Sequence, residues 1–219
     1  AELFENIAGQ NVCEQIPAVC TLYHIYRNLM GDKAESLDMF WGWGEIILSD
    51  FDDIDKHLVD ERNLFLNAQQ LEEMESLDFL TENQYEALKQ FFGSFTPENK
   101  TRIQEQFSRL WAIMPNLYTG IRQAMPDGVV PYQGALERMV VENQDMLAQL
   151  DTERTYCFIG FNMLSETEKR LMSYLHKRNK ALFYWDYDEM YLNNRNCEAG
   201  LFIRENLKLF PNALSRQNI

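Results

Sequence analysis

The sequence predicts a mainly α-helical chain with a C-terminal α/β part, a helical domain over residues 1–150 followed by a βαβ segment over 151–219. Three observations lead there. Apolar residues recur at three- and four-residue spacing through the first 150 positions, the signature of helices with one buried face. Near Asp151 this gives way to short, aromatic-rich apolar runs bounded by polar residues. Two such runs flank a capped helix within about 30 residues, the spacing of a βαβ unit in a parallel sheet.

The helices follow in order. Ile16, Val19, Cys20, Tyr23, Tyr26 and Met30 share helical spacing, and Gly31 supplies a stop. Ser36 can cap the next helix, which carries Phe40, Trp41 and Trp43, with Gly42-Trp43-Gly44 read as a packing device. Thr81 and Gln84 form a capping box ahead of Tyr85, Leu88, Phe91 and Phe92, and Thr96-Pro97 opens a further helix with proline where its missing N–H costs nothing. Ile103, Phe107, Leu110, Trp111 and Met114 continue on one face. Pro115 is expected to break or kink that helix, because a proline there removes a hydrogen bond and clashes with the preceding turn. Leu117, Tyr118, Ile121 and Met125 resume the pattern up to a Pro126-Asp127-Gly128 turn, and one last helix covers Tyr132 to Leu150.

In the second part, residues 155–161 read as a buried strand, Ser165 and Glu168 as a capping box opening a helix through Leu171, Met172 and Leu175, and residues 181–186 as a second strand parallel to the first. Two parallel strands are too few to stand alone, so the sheet needs further strands or cover from the helical part.

Bulk properties narrow the function. Hydrophobic residues make up 46% and charged ones 25%, which is ordinary globular composition. No apolar run approaches the about 20 residues that span a bilayer, and no membrane partner is expected. The acidic start Ala1-Glu2-Leu3-Phe4-Glu5 lacks the pattern of a secretion signal. Cys13, Cys20, Cys157 and Cys197 form no Cys-x-x-Cys pair and read as free thiols of a cytoplasmic protein.

Charge is unevenly distributed about a net −14. Residues 45–86 hold 13 acids against Lys56 and Arg62, a local net of −11 that repels nucleic acid. Residues 169–180 hold Lys169, Arg170, Lys177, Arg178 and Lys180 with no acid, a local net of +5. Arg170 and Lys177 stand two helical turns apart on one face. Lys169, Arg170, Lys177 and Arg178 are therefore the candidate DNA contacts, with a solvated helix face as the structural alternative.

No complete catalytic constellation is legible. There is no Gly-Lys pair for a phosphate loop, no Gly-x-Ser-x-Gly elbow, and no zinc spacing among His24, His57 and His176. The acidic run Asp50-Phe51-Asp52-Asp53-Ile54-Asp55 fits neither a calcium loop nor a strand-borne Mg²⁺ site and reads as structural. Glu98-Asn99-Lys100 has the acid-x-Lys spacing of a nuclease but opens a helix. Asp186, Asp188 and Glu189 follow a strand end, where open α/β sheets hold ligands, and could serve a small-molecule enzyme. Thus no catalytic residue and no metal ligand is assigned.

The stretch from Phe40 to Asp55, FWGWGEIILSDFDDID, resembles the Trp-Gly-Glu…Asp-Phe-Asn/Asp…Ile-Asp segment of large bacterial PD-(D/E)xK nuclease family proteins, similar to the B subunit of AddAB-type helicase–nucleases with a degenerate helicase region. Phe158-Ile159-Gly160-Phe161-Asn162, then Glu168, Leu171 and Leu175, Ala181 to Asp188, Glu198-Ala199-Gly200, Phe202-Ile203 and Phe210-Pro211-Asn212 fit the same pattern. The resemblance spans about residues 16–212. It implies a longer parent, a nuclease or helicase-like exonuclease of DNA repair, with its nucleotide loop upstream and nuclease domain downstream. Residues 1–150 would be a helical insertion, and 151–219 its return into a helicase-like domain. The segment itself would be inactive and hold no cofactor, with Mg²⁺ and ATP belonging to the parent, and its partners would be DNA and other domains of that chain. Ile159 stands where related subunits often carry an Asp, which argues against a Mg²⁺ or ATP role for that strand. The alternative is a stand-alone acidic helical module that binds a basic protein.

Overall fold

The computed structural model describes residues 2–65, 102–150, 153–194 and 196–214. Its elements, in order, are α1 (Glu2–Ala8), β1 (Asn11–Val12), α2 (Gln15–Met30), a 3₁₀ turn (Gly31–Lys33) and α3 (Leu37–Lys56), then α4 (Arg102–Ala124), β2 (Val129–Val130), α5 (Gln133–Glu142) and α6 (Gln144–Ala148). After these come β3 (Tyr156–Ile159), α7 (Glu166–Lys177), β4 (Ala181–Tyr184), α8 (Glu189–Asn193), a 3₁₀ turn (Glu198–Gly200) and α9 (Leu201–Leu209). The chain is mainly helical with an α/β C-terminal part, as the patterning predicts. The capping box at Thr81, the Thr96-Pro97 start and Glu98-Asn99-Lys100 lie outside the described residues.

The residues form two compact units, one of 15–47 and 59–125, the other of 1–14, 48–58 and 126–219. In the first, α2 packs on α4. Val19, Leu22, Tyr26, Phe40, Leu117, Tyr118 and Ile121 form its core, each side chain contributing about 1.5–3 kcal/mol by leaving water. The buried face of α2 is offset from the expected one. Ala18 and Leu22 are inside, while Ile16 and Cys20 are exposed. Tyr26 and Phe40 stack at 4.4 Å, and Gly44 lets them close on α2, since a Cβ there would stand 2.9 Å from the Phe40 ring and 3.0 Å from Val19. Among the described residues Gly42 has no such reason, for a Cβ added there meets none of them within 4 Å.

Pro115 does not break its helix. α4 runs through it for 23 residues. The about 3 kcal/mol that an interior proline costs is offset by the burial of Met114, Leu117, Tyr118 and Ile121 on either side.

The second unit contains both sheets. β1 and β2 pair in parallel, Asn11 with Val129 and Val12 with Val130, a short pairing that helical periodicity did not reveal. Gly128, at φ +77°, makes the expected turn after Pro126. The helix expected over Tyr132–Leu150 is two helices. Asn143 ends α5 in extended backbone, and its side chain accepts from the Asp145 and Met146 N–H groups to start α6.

The βαβ unit is as predicted. β3 and β4 pair in parallel from Tyr156–Ala181 to Ile159–Tyr184, and Ser165 and Glu168 close the capping box of α7. The strands are not buried on both faces, however. Phe158 and Phe183 point into the core and stack at 5.4 Å, while Ile159, 67% exposed, and Leu182 face outward. The sheet has cover on one side only among the described residues. Its β4 edge is extended by the segment after α9. The Ala213 N–H donates to the Phe183 carbonyl at 2.7 Å, and the Trp185 indole N–H donates to the Phe210 carbonyl at 2.8 Å.

Candidate functional site

Helix α7 is amphipathic. Leu171, Met172 and Leu175 are buried, and the opposite face carries cations. Arg170, Ser173, Tyr174 and Lys177 recur at three- and four-residue spacing on that face, with Arg178 one turn beyond Tyr174. Together with Val141, Glu142, Gln144 and Leu147 of α5 and α6 they line an open groove of about 410 Å³. Lys177 falls in the last turn, where a cation is favoured by the helix dipole.

The four cations singled out from the sequence do not share one environment. The structure brings together Arg170, Lys177 and Arg178, and leaves Lys169 aside, its ammonium 2.8 Å from Glu166 one turn earlier. Arg170 and Lys177 are exposed and have no ion pair among the described residues. The Arg178 guanidinium lies over the Tyr174 ring, 3.6 Å from its centre, a cation–π contact that holds the charge over the groove wall. The groove's one acid, Glu142, accepts from Arg138 Nε at 3.1 Å, sharing that guanidinium with the buried Asp55. Groups of these kinds can meet phosphates by charge and by the Arg fork, with the Ser173 and Tyr174 hydroxyls as further possible donors. Tyr174 was legible, four residues from both arginines, but its role as a groove wall depends on α5 and α6, which sequence spacing does not place.

Three of the other candidate acids, Asp52, Asp55 and Asp188, have structural partners. Asp52 accepts from the Gly134 N–H at 2.5 Å and meets the Lys56 ammonium at 2.5 Å. Asp55, fully buried, accepts from Arg138 at 3.2 Å. Asp188 caps α8 through the Met190 N–H at 2.7 Å, and Asp186 and Glu189 are exposed. Among the described residues no three His, Cys, Asp or Glu side chains stand close enough to share a metal ion. The His176 ring meets Phe183 edge-on at 5.6 Å, a packing contact. All four cysteines are unpaired. Among the described residues no helix is long and apolar enough to cross a membrane.

No protein-family model matches the chain, and no curated protein or solved structure matches it significantly.

Proposed function

We propose that this chain is a non-catalytic structural segment of a cytoplasmic DNA end-processing helicase–nuclease of DNA repair, and that it contacts DNA through Arg170, Lys177 and Arg178. The observation that carries the reading is the groove beside α7. In a chain of net charge −14, three cations converge there, and the nearby acid is held by Arg138. The segment's resemblance to the PD-(D/E)xK helicase–nucleases supports the same assignment, with Mg²⁺ and ATP bound elsewhere in the parent. Two acids of the α3 run, Asp52 and Asp55, hold α5, which agrees with a scaffolding role.

Anisotropy of labelled duplex and single-stranded oligonucleotides, titrated with the wild-type chain and with the Arg170→Glu/Lys177→Glu double variant, tests it. The reading requires weaker binding by the double variant on at least one substrate. Equal binding on both refutes it.

A further inference from the structure

Helix α3 carries an apolar face that nothing among the described residues covers. Met39 is 65% exposed, Trp43 45% and Ile46 54%, and they recur at four- and three-residue spacing. With Gly42, which sits three residues after Met39 and four before Ile46, they form the i, i+3, i+4, i+7 set that receives one side chain of a facing helix.

Gly42 is the informative member. A glycine inside a helix costs roughly 0.5–1 kcal/mol relative to alanine. Gly44 has an internal reason for that cost, the close approach of Phe40 and Val19, whereas a Cβ at Gly42 meets none of the described residues within 4 Å. A missing Cβ on an exposed helix face is useful when something outside must come close. Charge indicates what that is. Asp38 and Glu45, seven residues apart, run along one flank of the set, and no Lys, Arg or His occurs from Ala34 to Asp55.

We infer that Met39, Gly42, Trp43 and Ile46 form a docking site for a basic amphipathic helix of another polypeptide, which seats an apolar side chain over Gly42 and sets cations against Asp38 and Glu45. A second copy docking through the same face would set Asp38 and Glu45 against their own counterparts, and the chain's own basic helix, α7, keeps its apolar side, Leu171, Met172 and Leu175, buried in its own unit. An anionic membrane would be repelled by the same two acids. The inference is independent of the DNA reading, because it uses a different helix and the opposite charge.

The test uses a labelled synthetic amphipathic helix with leucines on one face and lysines beside them, and a matched peptide with glutamates in place of the lysines. Both are titrated against the full chain by fluorescence anisotropy. The lysine peptide should bind and the glutamate peptide should not. Trp43→Ala should weaken binding at least about tenfold, as loss of a central aromatic anchor does. Glu45→Lys should weaken the lysine peptide and strengthen the glutamate peptide. Gly42→Ala should raise the melting temperature of the free chain while lowering its affinity for the lysine peptide, two effects of opposite sign that a structural role alone does not give. No binding, equal binding of the two peptides, or unchanged affinity in Gly42→Ala overturns the inference. So does self-association of the wild-type chain that Ile46→Lys abolishes, since the occupant would then be a second copy.

Discussion

Asp52, on α3, serves as the N-terminal cap of α5, its carboxylate accepting the Gly134 N–H at 2.5 Å. Tyr132, in the cap position of α5, supplies no side-chain hydrogen bond. Helix starts leave N–H groups without intrahelical partners, and here the acceptor comes from 82 residues away in sequence. Gly134 is required at the contact, because a Cβ would overlap the Asp52 carbonyl oxygen. Asp52→Ala should therefore cost about 1–2 kcal/mol in a urea titration. Gly134→Ala should cost about 2–3 kcal/mol despite alanine's better helix propensity. A Gly134→Ala variant as stable as the wild type would show that the two helices are not so closely joined.

Lys56 adds a pH dependence. Burial alone would lower its pKa, but the hydrogen bond and charge of Asp52, with the charges of Glu137 and Asp53, outweigh burial and raise it above the ordinary 10.5. An ammonium held more tightly in the folded state stabilises fully below the unfolded value, and that contribution disappears as pH rises through the folded one. Stability should fall between pH 10.5 and the folded value. Lys56→Met should start lower at neutral pH and lose less over that alkaline window. Parallel alkaline limbs in the two proteins would rule out the linkage.

The contact between Thr167 and Glu137 ties α7 to α5. Glu137 is almost wholly buried, and its carboxylate accepts from the Thr167 hydroxyl at 2.6 Å and from the Gln133 amide at 3.2 Å. Thr167→Val keeps the shape but removes a donor from a buried charge, with an expected loss of about 1–3 kcal/mol. Thr167→Ser keeps the donor and should lose less. Equal losses in the two variants would mean that packing, not the hydrogen bond, holds the pair.

The elements that sequence reading identified are those set by local rules. The capping box at Ser165 and Glu168, the turn at Gly128 and the parallel pairing of β3 with β4 all follow from residues a few positions apart or from the βαβ spacing. What it missed depends on distant partners. The pairing of β1 with β2 joins segments more than a hundred residues apart, too short to leave a pattern of its own. Asn143 divides a helix because its side chain competes for backbone N–H groups, a preference that apolar spacing does not register. The candidate cations were legible as a charge run, but which of them share a groove was not. Lys169 lies on a different side of the helix from Arg170 and is paired with Glu166.

The salt dependence of DNA affinity most directly tests whether DNA is held on the α7 face that carries Arg170 and Lys177. It is measured for the wild-type chain, Arg170→Glu/Lys177→Glu and Lys169→Glu. Each phosphate contact contributes a log–log slope of about −0.9 on duplex DNA or −0.7 on a single strand. With two contacts removed, the double variant should have a slope shallower by about 1.8 or 1.4, respectively. Lys169→Glu should keep the wild-type slope, because that ammonium is already held by Glu166 outside the groove. An unchanged slope in the double variant, or an equal reduction in Lys169→Glu, would contradict the account.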